Sequence, residues 1–319
     1  MTTVGSLLRL RPSLPWGAAT RLLRVLLLAA AATGCAPDTP HRERREDTLT
    51  SGVLRIAAEP DVATLVRATA DAFEAGYPDA SISVEARTSR EAMADVFANR
   101  ADLAVIGREI EEIERQAATE AGLEMEAFRW ARDGVAVLAH PSNPVNQVSF
   151  DDLSLVLSEP AVSWSEFGGP ERPVVPVLPD PARGLTQFVA RSLVEREDVV
   201  VPAITAADDT VLLAEVRRRP GALGFVSAAR LGPAVKTLAV SRAKGMPYVE
   251  LDAETVYRRD YPLTRSFQIV SRVPGVQLGG GFITFATSEP GQRLVRDQGF
   301  VPATVPVRFT RRLPAKASH

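Results

Sequence analysis

The chain has 319 residues, of which 45% are hydrophobic and 24% are charged, and its formal net charge is −2. This length exceeds the usual size of one domain, so two lobes or domains are expected. After residue 35, no apolar run reaches the roughly 18 residues that a transmembrane helix needs.

The first 35 residues have the pattern of a bacterial targeting segment. Arg21 and Arg24 precede a short apolar stretch, residues 25–32, and the sequence Ala-Thr-Gly-Cys ends at Cys35. A small-small-Cys ending is typical of a lipoprotein signal peptide. Cys35 is the single cysteine of the chain, and we expect it to carry a lipid. An ordinary signal peptide cut nearby is the alternative interpretation.

The rest of the chain is acidic and begins with a polar segment. Residues 1–35 hold four arginines and no acidic residue, so the remainder has 33 basic and 39 acidic side chains and a formal charge of −6. Residues 36–51 are charged and interrupted by proline, which predicts a flexible tether. We therefore expect a periplasmic protein that is attached to the membrane only through its lipid and has no nucleic-acid partner.

Alternating strands and helices are predicted to follow the tether. Strands are predicted at residues 53–58, 82–84 and 102–106, and helices at residues 62–75 and from residues 88–89 onward. This alternation indicates a parallel sheet wound with helices. In open parallel sheets, ligands bind beyond the carboxyl ends of the strands, against helix N-termini. Three loops are therefore predicted on one rim: residues 59–62, 88–89 and 107–108.

The middle of the chain predicts a second set of such elements. Residues 135–139 form a continuous apolar run, typical of a strand that is covered on both faces. A helix that begins near Asp152 is stopped by Pro160. A strand at residues 174–178 is followed by a helix at residues 185–193.

Four segments of the chain are similar in sequence to the corresponding segments of one protein family. They are residues 130–169 (WARDGVAVLAHPSNPV at their start), 220–225 (PGALGF), 261–270 (YPLTRSFQIV) and 288–303 (SEPGQRLVRDQGFVPA). Together they resemble the phosphate-binding subunits of bacterial ABC transporters, the PstS-like family of type II periplasmic binding proteins. The resemblance covers about residues 52–303. It implies an α/β fold of two lobes, each a mainly parallel sheet flanked by helices.

The resemblance also implies where the chain crosses between the lobes. The two crossovers are predicted near Asp133 and near Tyr261. Lobe 1 would then be discontinuous, formed by residues 52–135 plus 264–310, and lobe 2 would comprise residues 136–263.

The function implied by the resemblance is solute capture for a phosphate-type ABC uptake system. The protein would hold phosphate or a related small anion between its lobes, with the permease and ATPase of the transporter as partners, and would act as a monomer. The sequence contains no catalytic motif, metal-ligand cluster or nucleotide-binding loop. Neither enzymatic activity nor a cofactor or metal is therefore expected.

The same resemblance assigns a ligand-binding set at the helix starts facing the cleft. That set is Glu59, Asp61, Val62, Thr88, Ser89, Gly107, Arg108, Arg183, Gly184 and Thr186. The family holds its anion with backbone N–H groups, small hydroxyls and an arginine, because a buried oxyanion needs many charge-assisted donors. Thr88 and Ser89 keep hydroxyls, and Arg108 matches the family's arginine-or-aspartate position.

The first and third loops depart from the family pattern. Where the family has serine and threonine, this chain has Glu59, Pro60 and Asp61, which add negative charge and remove one N–H donor. The family's Ser-Gly-Thr motif falls on residues 182–184, which are Ala-Arg-Gly. We therefore expect orthophosphate to bind weakly or not at all. The alternative function is a lipoprotein that has lost phosphate binding and acts as a sensor or scaffold.

Other roles for these residues also stay open. A ligand with its own cationic group could use Glu59 and Asp61, or these two acids could simply favour the N-terminus of the first helix. Arg108 could be an ion-paired surface residue and Arg183 a solvated loop residue. Thr88 and its neighbour could act only as helix caps.

Overall fold

The computed structural model describes residues 46–195, 202–232 and 234–303. The predicted signal peptide, Cys35 and most of the predicted tether lie outside these residues. No helix within them is long and apolar enough to cross a membrane. Strands and helices follow each other in this order: β1 (Gly52–Ala58), α1 (Ala63–Gly76), β2 (Ala80–Ala86), α2 (Ser89–Phe97), β3 (Leu103–Ile106), α3 (Glu112–Glu120), β4 (Glu124–Ala139), β5 (Gln147–Ser149), α4 (Phe150–Ser158), β6 (Val175–Pro179), α5 (Gly184–Val194), β7 (Ile204–Ala206), α6 (Asp209–Arg218), β8 (Ala222–Ser227), β9 (Lys236–Ser241), α7 (Ala253–Arg258), β10 (Thr264–Val273), α8 (Gln277–Thr287), α9 (Glu289–Asp297) and β11 (Val301–Pro302).

The first sheet contains β1, β2 and β3, the three strands predicted from the beginning of the folded part of the sequence. Strand β1 lies between β2 and β3, and both pairs are parallel. Strand β10 is antiparallel to β3 and to the first part of β4. Because β1 and β3 run in the same direction, the residues that follow them, Glu59 and Gly107, lie at the same rim of the sheet.

Strand β4 continues from the first sheet into a second one. Gly134 pairs with Thr264 of β10, whereas the next residue, Val135, pairs with Ser227 of β8. Strands β8, β6 and β7 are mutually parallel, so helix α5 begins at the carboxyl rim of this second sheet. The chain returns beside β4, where the Val135 N–H donates to the Leu263 carbonyl at 2.8 Å. The two crossings therefore lie side by side where the sheets meet.

Each sheet has its own hydrophobic core. Phe73 and Phe282 belong to the core of the first sheet, and Trp164 and Tyr261 belong to the core of the second. The Trp164 indole N–H donates to the Gly221 carbonyl at 2.9 Å, which satisfies the one polar group of a fully buried ring. The two cores are those of a two-lobed molecule; the predicted residue boundaries of the lobes stay a prediction.

Strand β4 is also the largest departure from the sequence prediction. The apolar run predicted a strand only at residues 135–139, yet β4 begins eleven residues earlier at Glu124 and spans both sheets. Its first part carries exposed side chains at Glu124, Glu126 and Arg129. An antiparallel strand with one solvated face tolerates such residues, and they interrupt the apolar run on which the prediction relied.

Part of the predicted tether contacts the folded body. The Asp47 carboxylate accepts hydrogen bonds from the N–H groups of Gln277 at 2.9 Å and Leu278 at 3.1 Å. These N–H groups belong to the first turn of α8, where they have no partner within the helix and where negative charge is favourable. The end of the tether is therefore held against α8.

Trp130 connects β4 to the C-terminal helices, and its loss should destabilise the first lobe. Its side chain is fully buried, its indole N–H donates to the Ala286 carbonyl at 3.1 Å, and its own carbonyl accepts from the Gln292 amide at 3.2 Å. Trp130→Ala should lower the free energy of unfolding by about 3–5 kcal/mol, because it leaves a large cavity. Chemical denaturation measures this. The exposed neighbour change Arg129→Ala should cost less than about 0.5 kcal/mol, and equal losses would contradict the role of Trp130.

Candidate functional site

The Glu59 carboxylate occupies the point where the predicted rim loops converge. Its Oε2 accepts hydrogen bonds from the Ser89 hydroxyl and from the Gly107 N–H, both at 2.7 Å. The Glu59 side chain is 1% exposed. A hydroxyl at a helix start and a backbone N–H after a strand are the donors that the resemblance assigned to an anionic ligand. Here both donate to a carboxylate of the chain itself.

The other oxygen of Glu59 faces the second lobe. Glu59 Oε1 has no hydrogen-bond partner, and the nearest cationic nitrogen, Nη1 of Arg265, lies 3.6 Å away. A Cβ atom at Gly184, the first residue of α5, would lie only 1.5 Å from this oxygen. Gly184 therefore lets the N-terminus of α5 approach the carboxylate, where the helix dipole favours negative charge.

Asp61 makes the direct connection between the two lobes. Its Oδ1 accepts from Nε of Arg183 at 2.8 Å and also from Nη2 of that residue. Its Oδ2 accepts from the Leu185 N–H and from Nη1 of Arg265, both at 2.9 Å. The Leu185 N–H is one of the unpaired donors at the start of α5. A carboxylate from the loop after β1 thus binds a helix N-terminus that belongs to the second sheet.

Arg265 is the central cation of this cluster. It is 3% exposed, and its Nε and Nη2 donate to Oδ2 of Asp133 at 3.1 and 2.9 Å. The other oxygen of Asp133 accepts from the Ser227 hydroxyl at 2.8 Å. Arg183 extends the cluster to Asp209 on α6, at 2.9 Å. Buried charges of this kind are stable only when they are paired and hydrogen-bonded.

The pKa values of Glu59 and Asp61 are shifted in opposite directions. Burial raises the pKa of Glu59, and the nearby charge of Asp61 raises it further against the opposing effect of Arg265. Burial also disfavours the charged form of Asp61, but Arg265 and Arg183 outweigh it and lower the pKa of Asp61 to about 2. Asp61 therefore stays ionised in acid, whereas ionisation of Glu59 opposes folding as the pH rises above the ordinary pKa of glutamate.

Six of the predicted site residues are brought together by the fold. They are Glu59, Asp61, Ser89, Gly107, Arg183 and Gly184. Three others do not join the cluster, because their polar groups are used locally: the Val62 N–H donates to the Glu59 carbonyl, Thr88 forms a capping box with Glu91, and the Thr186 hydroxyl donates to the Pro179 carbonyl.

Arg108 lies near the cluster but is paired elsewhere. Its Nη2 and Nη1 donate to the two oxygens of Glu114 at 2.6 and 2.8 Å, and Glu111 lies 3.4 Å from its Nε. An ion-paired surface arginine was one of the roles that the sequence left open, and the ion pairing is present. The surface position was wrong, because the Arg108 side chain is only 10% exposed.

Two of the simpler interpretations were also wrong. Helix α1 begins at Ala63 and has no acidic residue in its first turn, so Glu59 and Asp61 do not serve its N-terminus. Arg183 is not solvated, since its side chain is 17% exposed and pairs with two carboxylates. The carboxylates are already bonded to the chain's own donors, so they are not available to a cationic ligand in this arrangement.

Sequence reasoning missed the residues that complete the cluster. Arg265 and Asp133 lie at buried positions of β10 and β4, and Asp209 lies at the start of α6. A charged side chain at a buried strand position is rare unless it is paired. That signal was present at Arg265 and Asp133, but it does not say which residues are the partners.

The sequence model of the family described as "PBP superfamily domain" matches residues 41–290. The chain belongs to the PBP superfamily. Among curated relatives, phosphate-binding protein PstS of Pseudomonas aeruginosa is 21% identical over 304 residues, which are 88% of this chain and 94% of that protein. Phosphate-binding protein PstS 2 of Streptococcus pneumoniae is 35% identical over 92 residues, 29% of this chain and 30% of the relative.

Solved structures of this superfamily share the fold. An ABC-type phosphate transport receptor from Vibrio cholerae superposes with a TM-score of 0.70 at 20% identity, covering 78% of this chain and 99% of that one. PstS from Borrelia burgdorferi gives a TM-score of 0.60 at 16% identity, covering 78% and 98%. The predicted PstS-like family and the predicted fold class, a two-lobed α/β type II periplasmic binding protein, are both confirmed.

Asp61 should stabilise the folded protein in a pH-dependent way. Its lowered pKa means that its contribution is present above pH 3.8 and is lost as the pH falls towards about 2. Asp61→Asn should lower the free energy of unfolding at pH 7 by about 3 kcal/mol, because it removes one buried carboxylate partner from both Arg183 and Arg265. Denaturation between pH 2 and 7 measures both effects. The exposed Asp71→Asn is the control, and a loss of similar size there would contradict the assignment.

Proposed function

We propose that this protein is a lipid-anchored periplasmic member of the PBP superfamily in which its own carboxylates replace the anionic solute. It does not capture orthophosphate, has no catalytic role, and acts as a sensor or scaffold. The observation that carries this proposal is the position of Glu59. Its carboxylate accepts both the Ser89 hydroxyl and the Gly107 N–H at 2.7 Å and is 1% exposed.

The energetics favour the internal carboxylate over a dissolved anion. An entering phosphate would have to displace Glu59 from two charge-assisted hydrogen bonds, each worth roughly 1.5–3 kcal/mol. If Glu59 stayed, it would keep the two donors that the anion needs. Asp61 already accepts hydrogen bonds from the Leu185 N–H and from the guanidinium groups of Arg183 and Arg265. Pro60 has no N–H to donate. Few donors therefore remain for a solute.

The second candidate function is phosphate capture for an ABC transporter, with a permease and an ATPase as partners and the protein as a monomer. The named relatives bind phosphate, and this favours it. The Glu59 carboxylate is surrounded by Ser89, Gly107 and the start of α5. These groups could hold phosphate if the Glu59 side chain adopted a rotamer that points away from them. The two candidates differ in a single measurable quantity, the affinity of the wild-type protein for orthophosphate.

Isothermal titration calorimetry with orthophosphate tests the proposal. The wild-type protein should give no binding heat, whereas Glu59→Ser should bind with a Kd below about 100 µM. The substitution removes one negative charge and frees the hydroxyl of Ser89 and the N–H of Gly107. Glu109→Ser, at a glutamate whose side chain is 64% exposed on the same rim, is the matched control and should not bind. A micromolar Kd for the wild-type protein would establish phosphate capture instead.

The lipid anchor requires a separate test, because Cys35 lies outside the described residues. Cys35→Ser removes the thiol that would accept the lipid. The variant should move from the membrane to the soluble fraction, or remain unprocessed with a higher mass on a denaturing gel. Ala36→Ser is the control and should behave as wild type. The lipoprotein assignment fails if the Cys35→Ser variant is found in the same cell fraction as the wild-type protein and migrates with it on the gel.

A further inference from the structure

A cavity lies next to the carboxylate cluster, and arginine is the commonest residue type in its lining. It has a volume of about 410 Å³ and lies between the loop after β3, helix α5 and the residues that lead into β10. This volume falls within the range of roughly 300–1,000 Å³ found for small-molecule sites. The basic residues that line it are Arg108, Arg191, Arg242, Arg259 and Arg265. Among its described lining residues, Glu109 is the single acidic one.

Three of these arginines already have carboxylate partners. Arg265 is bound by the buried carboxylates of the cluster, and Arg108 is bound by Glu114. Arg191 lies 3.7 Å from Glu111. These three residues fix the floor and one wall of the cavity, and their charges are largely compensated.

Arg242 and Arg259 are different. Within the part of the chain that the structure describes, neither guanidinium has a carboxylate within 4.0 Å. Burial lowers the pKa of the nearby Arg132, and the charges of Arg259 and Arg129 lower it further. Among the described residues, no ion pair therefore neutralises Arg242 or Arg259, although the chain as a whole carries more acidic than basic side chains.

We propose that this cavity binds a small soluble anion that carries two or more phosphate or carboxylate groups. Arg242 and Arg259, which have no carboxylate partner among the described residues, follow different elements, β9 and α7. They offer two separate cationic groups to a ligand with more than one anionic group. Guanidinium groups bind phosphate and carboxylate through paired N–H donors. The cavity lining also includes the apolar surfaces of Phe188, Tyr261 and Pro262.

A soluble ligand fits the cavity better than a membrane surface does. The cavity reaches inward to Arg265, which is 3% exposed, so its depth suits a molecule that enters it. The cavity shares Gly107 and Arg265 with the Glu59 site, but the proposal rests on Arg242 and Arg259, for which the described residues show no ion pair with Glu59. This proposal and the proposed function can therefore fail independently.

Calorimetry of the purified wild-type protein with inorganic tripolyphosphate tests the proposal. We expect saturable one-to-one binding that weakens as salt rises. Arg242→Ala and Arg259→Asn should each weaken it at least tenfold; asparagine is chosen because residue 259 has a φ of 63°, which asparagine tolerates. Arg258→Ala is the matched control, since Arg258 is exposed and paired with Glu254, and it should bind as wild type does.

Three results would overturn the proposal. The first is no saturable heat with tripolyphosphate, and the second is equal binding of tripolyphosphate to the wild-type protein and all three arginine variants. The third is binding to phosphatidylglycerol vesicles but not to tripolyphosphate, which would assign the arginines to a lipid surface. Unchanged melting temperatures of Arg242→Ala and Arg259→Asn would show that any loss of binding does not come from unfolding.

Discussion

The buried ion pairs of Arg265 are the interaction on which the centre of the molecule depends. They join Asp61, in the loop after β1, to Asp133 on β4, where β4 and β10 lie side by side and the chain passes between the sheets. Burying a charge costs several kcal/mol, so such a group is stable only when each member has its partners. The same arrangement directs Asp61 to the N-terminus of α5 and thereby fixes one lobe against the other.

An internal carboxylate has an advantage over any dissolved anion. Because Glu59 is attached to the chain, its effective concentration at Ser89 and Gly107 is set by the length of the loop and does not fall on dilution. The apparent affinity for a solute is reduced by the fraction of molecules in which that position is vacant. Contacts between the lobes then form without a solute at that position.

Local patterns predicted the elements that position the site, and non-local pairing decided its chemistry. The apolar run of β1 and the capping residue Thr88 could be recognised, because a strand and a helix start depend on neighbouring residues. Glu59 and Asp61 were correctly placed at the rim, but their roles were left open. The partner of Asp61, Arg265, lies 204 residues away, and nothing in either segment alone identifies the pair.

The close approach of Glu59 to Gly184 has an evolutionary consequence. The PstS-like family has a threonine where this chain has Gly184, and any side chain there would overlap the Glu59 carboxylate, since a Cβ would lie 1.5 Å from Oε1. The two positions are therefore epistatic. A hydroxyl residue can be accommodated at position 184 only if the Glu59 side chain moves away or is replaced by a smaller one. The residue at each of these two positions therefore limits which residues the other can accept.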